Sequence, residues 1–257
     1  MTTLDAARNY IAAGFSVVPI RRDGSKAPAW EVLPRVWDEG RNKATWKPLA
    51  ERLPTAAEVE AWFGGAAPCG IGLIGGAVSG ALETLDFDRE AADIFPAWWA
   101  LVEEERPGLV ARLAVSRTPR QPAGYHVRYR CPDEDIPGNT KLAIDPAAPG
   151  ADRVLIETRG EGGYALAPGS PSECHSEHRE YVQLSGPFIP PVISPDERET
   201  LLRCARSFNR EIKTFPQQRG LDLRPGEDYD RRGPDWAEIL EPAGWRCASG
   251  GPAGERR

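Results

Sequence analysis

The pattern of this 257-residue sequence predicts an α+β protein. Three observations carry the prediction. Reciprocal capping signals stand at Thr2-x-x-Asp5, Thr55-x-x-Glu58 and Ser194-Pro195-x-Glu197, each followed by helical spacing. Apolar and polar residues alternate one by one over Leu85 to Asp88 and over Tyr125 to Cys131, as on strands with two unlike faces. Helices and antiparallel-looking strands are therefore mixed along the chain, which is the α+β class.

The elements read in order as follows. Thr2 caps a short helix with Leu4, Ala7 and Ile11 on one side, and Gly14 ends it. Phe15 to Ile20 is a buried strand. Arg21 to Leu53 reads as an irregular basic stretch in which Lys26, Lys43 and Lys47 interleave with Trp30, Trp37 and Trp46; core packing is the expected use of those tryptophans, base stacking the alternative. Thr55 opens a helix that Gly64 stops. The glycine-rich Gly70 to Gly80 segment leads into the strand Ala81 to Asp88, and it is not a phosphate-binding P-loop, since no Gly-Lys-Ser/Thr follows. A helix covers Trp98 to Glu105, with Pro96 near its start and Pro107 beyond its end. Strands follow at Tyr125–Cys131, Arg153–Thr158 and Tyr164–Ala167. The Ser194 helix carries Leu201, Ala205, Phe208 and Ile212 on one face. Residues 1–214 form the expected main domain, 215–234 a polar linker, and 235–257 a short helical element and a disordered tail.

Composition narrows the function classes. A hydrophobic fraction of 40% and a charged fraction of 27% are those of an ordinary globular protein. No apolar run reaches 18 residues and no signal-peptide core opens the chain, so a cytoplasmic protein without a membrane partner is expected. The five cysteines form no Cys-x-x-Cys pair and read as free thiols. A net charge of −6 argues against unspecific coating of nucleic acid, although eight Lys/Arg against six Asp/Glu between Ala111 and Gly160 make that segment mildly basic. Cys174, His175 and His178 lack a partner pair at zinc spacing, and a surface loop is the expected reading.

Three short segments carry chemistry. On the first strand Asp86 and Asp88 share a face while Leu85 and Phe87 point into the core. Two such carboxylates repel unless a cation such as Mg²⁺ relieves them. On the second, His126, Arg128 and Arg130 share a face, offering donors for a triphosphate. On the third, Glu157 shares a face with Arg153, Leu155 and Arg159, and the Gly160 to Gly163 turn folds the chain back into a further strand.

This order of Asp-x-Asp, a Gly-x-His strand, and a hydrophobic-Glu strand running into Gly-x-Gly-Gly-Tyr resembles the archaeo-eukaryotic primase superfamily. More narrowly, it resembles the prim-pol domains of phage and plasmid replication proteins. Flanking segments are similar too: Gly14 to Pro19, Lys26-Ala27-Pro28, Gly70 to Leu73, Ser79-Gly80 and Tyr164 to Ser170. The resemblance spans about Ala6 to Asn209. Where the family often has Ser-x-His or Gly-Gly-x-His, this chain has Pro122-Ala123-Gly124-Tyr125-His126. The resemblance implies an RRM-like catalytic antiparallel sheet packed against an N-terminal α/β module. It also implies that Asp86, Asp88 and Glu157 bind two divalent ions, Mg²⁺ or Mn²⁺, and that His126 contacts the phosphates of an incoming nucleotide. Arg128 and Arg159 are expected helpers on the triphosphate.

The expected activity is template-directed nucleotidyl transfer from NTP or dNTP on a single-stranded DNA template with its primer. Gly226 to Asp230 and Asp235 to Leu240 resemble the connector of longer phage primase-helicases, so a helicase in cis or in trans is an expected partner. Two other readings stand beside this one: a non-catalytic RRM-like single-strand-binding module, and a metal-dependent nuclease.

Overall fold

Local capping chemistry starts the first helix. In the computed structural model, α1 (Thr3–Ala12) begins at Thr2, whose hydroxyl accepts from the Asp5 N–H while the Asp5 carboxylate accepts from the Thr2 N–H. The structure describes residues 1–38, 40–149 and 153–211. The expected linker over 215–234, the element and tail over 235–257, and Ile212 lie outside the described residues. The buried face of α1 is Ala6, Ala7 and Tyr10; Leu4 and Ile11 sit at its half-buried margin.

Strand β1 (Val17–Ile20) is buried throughout. The next segment is more ordered than its sequence suggests: β2 (Arg35–Asp38) and β3 (Arg41–Ala44) pair into a two-stranded ribbon. Four-residue strands that bury neither face show no period-two apolar signal, which is why the ribbon is silent in the sequence. Helix α2 (Ala56–Phe63) has the Thr55–Glu58 box and stops at Gly64, as expected.

Most of the first half of the glycine-rich segment is a strand, β4 (Gly70–Ile74), fully buried. At Gly72 a Cβ would stand 2.8 Å from Val18 Cγ1, so glycine is what lets the strand lie close to β1. Then come β5 (Leu82–Phe87), α3 (Ala91–Glu105), the single turn α4 (Leu109–Arg112), β6 (Ala114–Arg117), β7 (Tyr125–Arg130), β8 (Thr140–Ile144), β9 (Val154–Arg159), β10 (Tyr164–Leu166), β11 (Val182–Ser185) and α5 (Pro195–Arg206). Helix α3 starts well before Trp98 and holds Pro96 inside. Its stripe of Ala91, Ile94, Phe95, Trp98 and Val102 keeps helical spacing and is buried, and that packing outweighs the lost N–H of one proline.

Six strands form an antiparallel sheet in the order β11-β6-β7-β5-β9-β8. Its four inner strands follow the RRM order, with β5 and β7 central. One face carries Leu85, Phe87, Val127 and Tyr129 against α3, α4 and α5, forming the larger core. A second sheet, β1-β4-β10, packs with α1 and α2 in the N-terminal module. The turn after β9 therefore does not close a hairpin. It hands the chain from the large sheet to the small one, where β10 pairs with β4. Strand β5 is buried along its whole length, because helices cover one face and the N-terminal module covers part of the other. No helix among the described residues is long and apolar enough to cross a membrane.

Candidate active site

Sheet register brings the predicted site residues together. Asp86 on β5 pairs with His126 on β7 and, on its other side, with Glu157 on β9. Ser116 and Lys141 extend the same row outward. Side chains directly across a ladder share a face, so His126, Asp86 and Glu157 form one lateral line. Asp88 stands just past the end of β5, its N–H donating to Leu155 O at 3.2 Å. The three carboxylates offer oxygens that all lie within 4.8 Å of one another.

Their electrostatics are unequal. Burial opposes ionisation of Asp86, but His126 beside it, helped by Arg159 and Lys26, outweighs burial and holds the carboxyl at about 2. Burial and the neighbouring Asp86 charge push Asp88 up from the ordinary carboxylate value. Burial likewise raises Glu157; Arg159 opposes it, and Asp86 and Asp88 reinforce it. Arg159 spans two of the acids, with Nη2 at 3.5 Å from Asp86 Oδ2 and in contact with Glu157 Oε1.

His126 is 5% exposed, and its ring is fixed from behind. Arg128 Nη2 donates one hydrogen to Leu166 O at 2.6 Å and one to His126 Nδ1 at 2.8 Å, while Nη1 donates to Ser116 Oγ at 2.7 Å. A guanidinium only donates, so Nδ1 is the acceptor and the ring proton sits on Nε2. That Nε2–H faces Asp86 Oδ1 at 3.3 Å. Tyr181 stacks on the imidazole at 5.8 Å between centroids.

Asp86, Asp88, His126 and Arg159 line a cavity of about 350 Å³. Arg128 does not line it: at 2% exposure it is buried behind the imidazole. The sheet face that the sequence shows as an open row of donors is thus one presented histidine and one buried support.

Several cavity residues have no site role in the sequence pattern: Lys26, Trp46 and Tyr164 stand there only in flanking segments, and Thr118 and Asn139 carry no signal at all. Lys26 is a non-glycine residue at φ +61, a left-handed conformation that costs about 1–3 kcal/mol. Its loop is tied down by Gly24 N–H to Glu173 O and Arg21 N–H to Ala27 O, both 2.9 Å, and by Tyr164 Oη donating to Lys26 O at 3.0 Å. Thr118 reaches the cavity because residue 124 is glycine: a Cβ there would stand 2.3 Å from Thr118 Oγ1. Asn139, Tyr164 and Trp46 complete the wall.

Among the described residues, the three carboxylates are the group of side chains close enough to hold a metal ion. Cys174 and His175 are both buried, and His175 Nδ1 accepts from the Glu177 N–H at 3.1 Å, so this part of the Cys174/His175/His178 segment is packed into the fold and is not the surface loop expected.

The sequence matches the Prim-Pol family, bifunctional DNA primase/polymerase, N-terminal, over residues 7–197. The chain belongs to this family. No individual curated protein matches it. Membership implies DNA and nucleotides as the substrates of the Prim-Pol fold described above. The donor set of this Prim-Pol site also fits a hard divalent cation. All three donors are carboxylates, hard cations prefer oxygen ligands, and the mutual repulsion that raises Asp88 and Glu157 is what a cation removes.

Proposed function

We propose that this Prim-Pol domain is a template-directed nucleotidyltransferase. It extends, and as a primase initiates, strands on single-stranded DNA by attack of a 3′-hydroxyl on the α-phosphate of an NTP or dNTP. The observation that carries the reading is the row His126–Asp86–Glu157, with Asp88 beside it, of which His126, Asp86 and Asp88 line one cavity.

Asp86, Asp88 and Glu157 would hold two divalent ions, Mg²⁺ or Mn²⁺, which supply charge neutralisation at the reacting phosphate and a more acidic attacking hydroxyl. The protein's own part is to bind and orient. His126 presents a single donor, Nε2–H, to a phosphate oxygen of the incoming nucleotide, and Arg128 keeps that tautomer and ring angle by holding Nδ1. Lys26 and Arg159 bring positive charge to the rest of the triphosphate from the cavity wall. The bond that forms joins the 3′-oxygen to the α-phosphorus, the bond that breaks releases pyrophosphate, and the hydroxyl proton leaves to solvent. A helicase acting in cis or in trans supplies the single-stranded template.

Primer extension on single-stranded DNA tests this directly, with triphosphates and either Mg²⁺ or Mn²⁺. The wild type extends the primer, and Asp86→Asn/Asp88→Asn lowers the rate by about 10²–10³-fold or more. DNA bound but never extended under either metal would leave a binding module in its place. Strand shortening without triphosphates would make it a nuclease.

A further inference from the structure

The ribbon β2–β3 lies outside both hydrophobic cores among the described residues. Its side chains Val36, Trp37, Arg41, Asn42 and Lys43 are exposed, and Trp37 is 77% exposed. Trp30, at 36%, flanks it. The core packing expected for these tryptophans holds only for Trp46, which is half-buried against the N-terminal core. An isolated two-stranded ribbon with bare aromatic faces is marginal in water, and large exposed aromatics grouped together mark a contact surface.

We propose that this ribbon is a stacking platform for single-stranded DNA, over which the template strand runs on its way to the catalytic cavity. Three observations choose that occupant. First, Trp30, Val36, Trp37, Lys43, Trp46 and Lys47 line one groove of about 530 Å³, so it offers both aromatic rings and cations. Stacking plus phosphate contacts is how single strands are held without sequence preference; a duplex hides its base faces and offers nothing to stack. Second, the segment from Arg35 to Lys47 has four basic residues against two acidic ones in a chain of net charge −6, so the positive charge is local to this strip. Third, the groove is continuous with the site. Trp46 lines both the groove and the cavity that holds Asp86 and His126, and it meets Tyr164 edge to face at 5.7 Å. The word template rests on the polymerase reading, whereas the single-strand contact does not.

The test is fluorescence anisotropy with a labelled oligothymidine about 20 nucleotides long, without triphosphates, beside primer extension on the same proteins. Trp37→Ala weakens binding by about 5- to 150-fold and leaves the melting temperature unchanged, since the side chain is mostly in water. Trp30→Ala/Trp37→Ala weakens it further. Lys47→Ala lowers the slope of log affinity against log salt by about 0.7. Duplex of the same length competes poorly. Binding by both tryptophan variants equal to wild type overturns the proposal, as does a dimer that Trp37→Ala converts to monomer with oligonucleotide affinity unchanged. A wild type that binds through Trp37 but never extends keeps the platform and removes the polymerase reading. Normal extension with tryptophan-independent binding does the reverse.

Discussion

Asp86, Asp88 and Glu157 show how three like charges divide a small space. Asp86, held at about 2 mainly by His126 against its own burial, contributes stability that is lost only as pH falls towards that value. Asp88 and Glu157 are raised by burial and by neighbouring charge, so each takes up a proton in the folded protein before it does in the unfolded one. The metal-free protein therefore loses stability as pH rises from the ordinary carboxylate value through their raised values. A bound cation reverses this, but only by displacing those protons. The thermal stabilisation given by Mn²⁺ is expected to shrink as pH falls through the raised values of Asp88 and Glu157. In Asp88→Asn the metal-induced gain disappears, and the metal-free protein is slightly more stable than wild type at neutral pH. Melting curves with and without Mn²⁺ over a pH series check both. A full metal-induced gain in Asp88→Asn would show that the cluster is not the metal site.

At the scale of the element, β5 does two jobs with opposite faces. Asp86 looks to the cavity, while Glu83, whose side chain has 0% exposure, is turned towards α5. There Arg198 donates to Glu83 through Nε at 2.7 Å and Nη2 at 3.0 Å, and Tyr129 Oη donates at 2.8 Å. This bidentate pair clamps α5 to the strand that bears Asp86. Arg198→Ala leaves a buried carboxylate without its counter-charge and is expected to cost about 3–5 kcal/mol, read as a lower denaturation midpoint. Arg198→Met/Glu83→Leu, which removes both charges, should cost distinctly less, and equal losses would mean that packing rather than charge holds the helix.

For the whole molecule, the site depends on how closely the two sheets meet. The contact is backbone on backbone: Gly75 N–H donates to Gly163 O at 2.9 Å, and a Cβ on Gly75 would stand 2.3 Å from Gly160 O. Neither side of that contact is a flexible side chain, so the sheets themselves must shift. Gly75→Ala is expected to destabilise by about 1–3 kcal/mol and to impair nucleotide binding as Tyr164, just beyond this turn, moves with β10. Denaturation and triphosphate titration of the same variant check the pair of effects. Unchanged stability would mean that the junction accommodates a methyl group and does not fix the spacing of the sheets.

What the sequence by itself determined is what neighbours in the chain decide. Helix starts at Thr2, Thr55 and Ser194 come from caps between residues three apart, and strand faces come from a period of two. The shared face of Asp86 and Asp88, and that of His126 and Arg128, was therefore legible, as was the family pattern those residues carry. Strands β6, β8 and β11 and the ribbon are short and weakly patterned, and they acquire their state from pairing. Only the tertiary structure decided that His126, Asp86 and Glu157 lie in one row, that Arg128 sits behind the imidazole, and that Lys26 reaches the acids from the N-terminal module. It alone left Trp37 in water. Each of these depends on register or contact between segments tens of residues apart, where a shift of one residue would turn every side chain to the other face, and nothing local records which register wins.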